Sequence, residues 1–489
     1  MNLQRLVFPS CICYDISGVY FLNLCCVMGG NTAQLHTPHL IRLVFVEMKD
    51  IPIYHTLKAH QKKDFSSFHT PGHKNAVFFP QDLLSLDYTE LPDTDALYEA
   101  SGILRQAEEK LSALFGAYRT LISCGGCTLA IQTMLRLACR KGHKMLLARN
   151  SHRSAVNACA LLGIEPLWLL PQNGGCFTGT IAPDDVERAL QQHPDSAACY
   201  LTSPTYYGEL SDIRRIAEIC HRHNVYLLVD NAHGSHLAFL HDNQHPIALG
   251  ADASACSLHK TLPVFTGGAV LNIAAPALAE GAKEAMALFG STSPSYPIMA
   301  SIDYCREYLQ HEGIAAYRQA EQRVAVIKQL ADRQGLWQPQ GTCDPLRVCV
   351  NTACAGVEGI DRQTDYFHRY AVEPEFCDGQ NAVFLCTPFN QERDFIRLET
   401  ALSALQGKGT MPSLSSLPLP EQQLSPREAM LSPTEMLPLS ECTGRIAANS
   451  ACPCPPGIPA VMPGEVISSA AAAYLAAAGH ENLRCVSSL

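Results

Sequence analysis

Ser257-Leu-His259-Lys260 concentrates reactive side chains within four residues. A lysine set among apolar residues has a depressed pKa and can form an imine with an aldehyde. Its neighbours Ser257 and His259 can donate hydrogen bonds to a phosphate. Thirty residues upstream (260 − 230 = 30), Asp230 closes the apolar run Tyr226-Leu-Leu-Val and leads into Asn231-Ala-His233-Gly. A carboxylate there can hold a protonated pyridine nitrogen and keep that ring an electron sink. Gly125-Gly126-Cys127-Thr128 offers backbone N–H groups to an oxyanion at the start of a helix. His152, in Asn150-Ser-His-Arg-Ser, can stack on a flat heterocycle. Each has a plainer reading when taken singly: a capping aspartate, a surface lysine, a tight turn, a hydrogen-bonded loop histidine.

The elements around them supply the missing context. Residues 101–115 have helical spacing, with Ile103, Leu104, Ala107, Leu111, Leu114 and Phe115 on one side. Strand-like runs follow at 120–123, 144–148, 199–202 and 226–230. They alternate with helical patterns at 128–139, 154–162 and 211–223. Repeated strand–helix units predict an α/β domain with a mostly parallel sheet and helices on both faces. In such sheets ligands bind beyond the carboxyl ends of the strands, which is where the glycine turn, His152, Asp230 and Lys260 fall.

Further along, a long helical stretch through Leu330, strands at 346–350 and 382–386, and a helix over 392–405 predict a small α+β domain. Residues 406–426, rich in Pro, Ser, Gly and Leu, read as a linker to a C-terminal module. The expected division is 1–47 as an N-terminal extension and 48–295 as an N-terminal segment plus major domain. The small domain then spans 296–405, the linker 406–426 and the C-terminal domain 427–489. Residues 6–28 are apolar but interrupted by Asp15, a poor membrane span. The positive charge before them is thin and no convincing small-x-small cleavage site follows, so Met48 is the expected start of the globular protein.

Bulk composition narrows the class. At 489 residues the chain is too long for one core. With 47% hydrophobic and 17% charged residues it is no disordered protein. A net charge of −10 without a Lys/Arg stripe disfavours nucleic acid and anionic membranes as partners. The 22 cysteines are scattered through helices and strands, and no two CxxC pairs meet at zinc-ligand spacing. They read as reduced, buried, small hydrophobes in a reducing compartment, with no metal site.

Taken in order, these motifs resemble the fold-type-I pyridoxal-phosphate enzymes and, more narrowly, the ornithine/lysine/arginine decarboxylase family. The resemblance is carried by Phe68-His-Thr-Pro-Gly-His-Lys-Asn, Asp87-Tyr-Thr-Glu-Leu-Pro-Asp-Thr-Asp-Ala-Leu and Arg149-Asn-Ser-His-Arg-Ser. It continues through Thr202-Ser-Pro-Thr-Tyr-Tyr-Gly-Glu, Val229-Asp-Asn-Ala-His-Gly and Ser257-Leu-His-Lys-Thr-Leu-Pro. Gly444-Arg-Ile-Ala and Pro455-Pro-Gly-Ile-Pro with Pro463-Gly-Glu are similar to that family's C-terminal domain. Coverage runs from about Met48 to Glu465. The family's extra N-terminal wing domain is not seen, as in its shorter biosynthetic members.

The resemblance implies pyridoxal 5'-phosphate bound covalently to Lys260, with Asp230 on the pyridinium and His152 on the ring face. It places His233 near the ring and the Lys260 linkage, and Ser257, His259 and Gly125-Gly126-Cys127 on the phosphate. Thr205 and Tyr206 would line the site. It further implies α-decarboxylation of lysine, arginine or ornithine in polyamine-type metabolism, by a cytoplasmic homodimer or higher homo-oligomer. Departures are Cys124-Gly-Gly-Cys where the family has Asn-Gly-[Ser/Thr]-[Ser/Thr], Gly267 after Thr266 where a Thr-Gln pair is common, and Cys454 where an aromatic precedes Pro-Pro-Gly. The alternatives are another reaction on the same scaffold, such as transamination or a lyase step, or a degenerate paralogue without catalysis.

Overall fold

The computed structural model describes residues 62–74, 86–172, 179–407, 417–452 and 459–487, together with Thr56, Ala59, Ala76, Phe78 and Phe79. Two units separate, Met1–Asp64 and Phe65–Leu489, and the architecture below is that of the second. The expected extension 1–47 and the Pro455-Pro-Gly stretch lie outside the described residues.

The helix expected over 101–115 is α1, Ile103–Phe115. Its start is fixed by Asp95, whose carboxylate accepts the N–H groups of Ala96, Ser101, Gly102 and Leu104. Its end is fixed by Gly116 in the left-handed conformation, φ 67°. Strand β1 (Arg119–Ser123) leads into α2 (Gly126–Ala138), then β2 (Lys144–Ala148) and α3 (Arg153–Leu162). Next come β3 (Glu165–Leu169), α4 (Pro183–Gln192), β4 (Ser196–Thr202), α5 (Ile213–Arg222), β5 (Tyr226–Asp230), β6 (Ala253–Cys256) and β7 (Ala269–Ile273).

Seven strands form one sheet in the order β1-β7-β6-β5-β4-β2-β3. The pairings β6–β5, β5–β4, β4–β2 and β2–β3 are parallel, whereas β7 runs antiparallel to both β1 and β6. Period-2 alternation sorts the central strands between two cores. Leu227 and Val229 face α5 with Leu201 and Ile216. Leu228 faces α2 with Tyr200, Leu121 and Met134. Asp230 has the same parity as Leu228, so its carboxylate emerges at the sheet edge beside the start of α2.

The smaller domain packs α6 (Tyr296–Tyr308) and α7 (Ile314–Arg333) with β8 (Arg347–Asn351), α8 (Ile360–His368), β9 (Phe376–Cys377), β10 (Asn381–Leu385) and α9 (Glu392–Ser403). Its sheet runs β9-β10-β8, antiparallel throughout. Ser66–Ser67 pairs in parallel with Val372–Glu373, and Phe68 packs edge-on against Phe384 and Phe395. The stretch around the His69-Thr-Pro-Gly motif is thus anchored on the small domain before it crosses to the major one.

The C-terminal module holds α10 (Pro426–Leu431), β11 (Thr434–Pro438), α11 (Ser469–Ala477) and β12 (Asn482–Val486), with β11 and β12 antiparallel. Cys442, Val461, Ile467, Leu475 and Cys485 form its core. Residues read as linker contribute to this module: Gln422 bridges to Glu465, and Glu421 accepts the Val466 N–H. Backbone pairing there outweighs the Pro/Ser-rich composition of the segment. No disulfide joins two of the cysteines among the described residues, and none of these cysteines is exposed. No helix among the described residues is long and apolar enough to cross a membrane.

Candidate active site

Lys260 sits in a single helical turn, Leu258–Thr261, immediately after β6. Its Nζ lies 3.0 Å from His233 Nε2. Burial, and then the neighbouring Lys260 and Arg347 charges, hold His233 well below its ordinary pKa, so its ring is neutral. With Lys260 donating, Nε2 is the acceptor and the ring proton sits on Nδ1. That buried atom has no hydrogen-bond partner among the described residues, and such an orphan costs about 1–3 kcal/mol.

Asp230 is 2% exposed. Its Oδ1 accepts the Ala232 N–H at 3.0 Å and its Oδ2 accepts the Tyr200 hydroxyl at 3.2 Å. The Cys127 thiol points at Oδ1 from 4.0 Å. Burial raises the Asp230 pKa, opposed by the Ala232 N–H, by Lys260 and by Tyr200. A cation delivered against this carboxylate would supply the charge compensation that burial demands.

His152 is the residue preceding α3 and caps it. Its Nδ1 lies 3.3 Å from the Ser154 N–H and 2.8 Å from Ser154 Oγ. Burial, then Lys260 and Arg153, push its pKa down to about 4, so it too presents a neutral flat ring. Ser257 Oγ is 3.2 Å from His259 Nδ1, which also lies 3.2 Å from the Gly268 carbonyl. The His259 carbonyl accepts the Gly72 N–H. A Cβ on Gly72 would sit 2.7 Å from the Leu262 carbonyl oxygen, so only glycine lets the His69-Thr-Pro-Gly segment cover the Lys260 turn.

The glycine turn differs from expectation in one respect. The Gly126 N–H, expected to face an oxyanion, is donated to the Gly267 carbonyl at 2.9 Å. The antiparallel return of β7 brings Gly267 there. Gly126 has φ 67° and a Cβ on it would meet nothing within 4 Å, so the space above the turn is open. Cys127 reaches the Asp230 carboxylate, which its place in the turn did not suggest.

Lys260 with His233, and Asp230 with Cys127, are therefore in direct contact, and the Asp230 and His152 pKa values both respond to the Lys260 charge. Tyr206 packs tilted against His233, at 4.6 Å between ring centroids, and also meets Phe376 of the small domain. Thr205 is turned to Glu209, at 3.2 Å. Two contributors escaped the sequence reading. Tyr200 has a signal: a tyrosine in a buried strand needs a partner for its hydroxyl. Arg347 has none, yet its guanidinium donates to the carbonyls of Tyr206 (2.7 Å) and His233 (3.2 Å). No cluster of three His, Cys, Asp or Glu residues suited to a metal ion occurs among the described residues.

A flat, phosphate-bearing heterocycle with a basic ring nitrogen and an aldehyde fits this donor set. There is a part-buried amine for the aldehyde, a buried carboxylate short of positive charge for the nitrogen, a neutral imidazole for the face and an orphaned imidazole N–H for a ring substituent.

The neutral histidines have a consequence for stability. The folded pKa falls from 6.5 to about 4 for His152 and to about 3 for buried His245, which lies 3.3 Å from the Cys256 sulfur. Below pH 6.5 the unfolded chain takes up protons that the folded chain refuses, so stability falls with pH from about 6.5 downwards. The urea midpoint of the cofactor-free protein should drop steadily between pH 7.5 and pH 5. His245→Gln should flatten that dependence; an unchanged slope would show His245 already protonated in the fold.

Comparison with known proteins gives two family matches. The model described as "Orn/Lys/Arg decarboxylase, major domain" matches residues 51–338, and that of the "C-terminal domain" matches 411–484. An arginine decarboxylase of Bacillus subtilis is 30% identical, covering 87% of this chain and 93% of that protein. The constitutive lysine decarboxylase of Escherichia coli is 22% identical over 85% of this chain and 75% of its own. Among solved structures, a lysine decarboxylase of Francisella novicida superimposes with a TM-score of 0.71 at 18% identity, covering 89% of this chain and 83% of that one.

Proposed function

The chain belongs to the Orn/Lys/Arg decarboxylase family, and on that premise we propose that it removes the α-carboxylate of lysine, arginine or ornithine, with pyridoxal 5'-phosphate held between Lys260 and Asp230. Its α/β core is the fold-type-I architecture of pyridoxal-phosphate enzymes. The observation that carries the reading is the pairing, at the ends of adjacent strands β5 and β6, of a buried carboxylate short of positive charge with an amine against a neutral histidine.

When bound, the cofactor supplies a cationic ring that accepts the electron pair left by a departing carboxylate. Asp230, steadied by the Tyr200 hydroxyl and the Ala232 N–H, holds the proton on the ring nitrogen. His152, neutral and fixed by Ser154, packs on one face. Ser257 and His259 bind the phosphate. Lys260 stands beside His233, and this pair would return a proton to Cα. Tyr206 and Phe376 wall the site from the small-domain side and exclude water, which strengthens every charge interaction within it. A cytoplasmic homodimer serving polyamine-type metabolism is part of the same reading.

Arginine is the first substrate to test, since the B. subtilis relative bears that name. Protein loaded with pyridoxal phosphate should release CO₂ and the matching amine in equal amounts from at least one of the three amino acids. Accumulation of a keto acid without CO₂ would overturn the proposal.

A further inference from the structure

The strand end that delivers His152 is gripped from the C-terminal module. Arg149, at the end of β2 and three residues before His152, is fully buried. Its guanidinium pairs with Glu465 Oε2 at 2.8 Å and donates to the Pro459 carbonyl at 2.9 Å. Glu465 is equally buried, and the same Oε2 accepts the Met462 N–H at 2.7 Å. Arg149 also lies 5.4 Å from the centroid of the Trp168 ring, whose N–H is donated to Gln422 of the same module. The far end of α3 is held separately, by Arg427 donating to the carbonyls of Ala160 and Leu161.

A fully buried ion pair is a poor source of net stability, because desolvating both charges offsets their attraction. Its geometry is nonetheless rigid, since neither charge can leave its partner without stranding the other. Here that rigidity is applied to the short segment 149–152, whose last side chain is both the α3 cap and the ring that faces the site. We propose that Glu465 is a positioning residue: acting through Arg149, it sets where the His152 ring sits, so that the C-terminal module completes the cofactor face of the major domain.

The inference rests on the function proposed above, and cofactor affinity separates the two. Apo-protein is titrated with pyridoxal phosphate by absorbance, beside its thermal melt, for wild type, His152→Ala, Arg427→Ala, Glu465→Asp and the double variant Arg149→Met/Glu465→Met. The double variant removes both charges together and leaves neither stranded. It should melt close to wild type yet bind the cofactor about tenfold more weakly, as His152→Ala does. Glu465→Asp, one methylene shorter, should move affinity in the same direction by less. Arg427→Ala should lower the melting temperature and leave affinity at the wild-type value.

Wild-type affinity in a folded double variant, with His152→Ala impaired, would overturn the positioning role. Equal weakening by Arg427→Ala would overturn it as well, by making the effect a general loosening. Should the double variant fail to fold, Glu465→Asp decides: a normal melt with unchanged affinity rejects the proposal. A wild type that takes up no pyridoxal phosphate would reject the underlying function instead.

Discussion

Replacing Lys260 by Ala should leave a folded protein that has lost turnover by about 10⁴-fold or more, the scale on which covalent and proton-transfer groups act. Among the described residues, the Nζ of Lys260 makes one hydrogen bond, to His233. The turn that carries it is set by the backbone: the Leu262 N–H reaches the Leu258 carbonyl, and the Gly72 N–H reaches the His259 carbonyl. Its removal should therefore shift the melting temperature little. The loaded variant should also lack the absorption band of a covalently attached cofactor. Retention of both the band and turnover would remove Lys260 from the chemistry.

Asp230→Asn should lower kcat by about 10³-fold, since the amide keeps the contacts with Ala232 and Tyr200 but cannot offset a positive ring nitrogen. The same substitution has an unusual sign for stability. Burial raises the Asp230 pKa above its unfolded value of 3.8, so the ionised carboxylate costs stability that the folded protein loses as pH rises through this range. Removing the charge should leave the cofactor-free protein melting no lower than wild type, and higher at neutral pH, while activity collapses. Such a residue is kept for function at the expense of stability. A variant that melts well below wild type would mean that a cation of the protein itself already balances Asp230. One that keeps full activity would mean that the ring nitrogen lies elsewhere.

The parts of this molecule legible in the sequence were those whose signals are local. Short apolar runs marked β1, β2, β4 and β5, and the alternation of strands with amphipathic helices gave the α/β class. The edge strand β3 went unread because Pro166 interrupts it and only Leu169 is buried. Helix α4 buries no more than Val186 and Leu190, too few to stand out from its polar surroundings. Strand order was beyond reach: nothing near Ala269–Ile273 shows that β7 inserts antiparallel between β1 and β6. That insertion is what turns the Gly126 N–H away from the open space above the turn.

Within the candidate site, Lys260, Asp230, His152 and His233 stand out by type and position in the sequence, while the groups packed against them do not. Arg347 meets the His233 carbonyl across 114 residues of sequence, and Arg149 meets Glu465 across 316. A guanidinium in a strand end reads as an exposed cation until the fold buries it. The contact of the Cys127 thiol with Asp230 was equally hidden, since the first turn of α2 directs that side chain towards the sheet.

In the proposed function Lys260 holds the cofactor covalently while Asp230 meets its far side. Loading the protein with pyridoxal phosphate, reducing it with borohydride and mapping the modified peptide by mass spectrometry tests this most directly. A phosphopyridoxyl group on Lys260, one per chain, is the expected result. Its attachment to a different lysine, or the absence of any reducible adduct in protein that has bound cofactor, would contradict it.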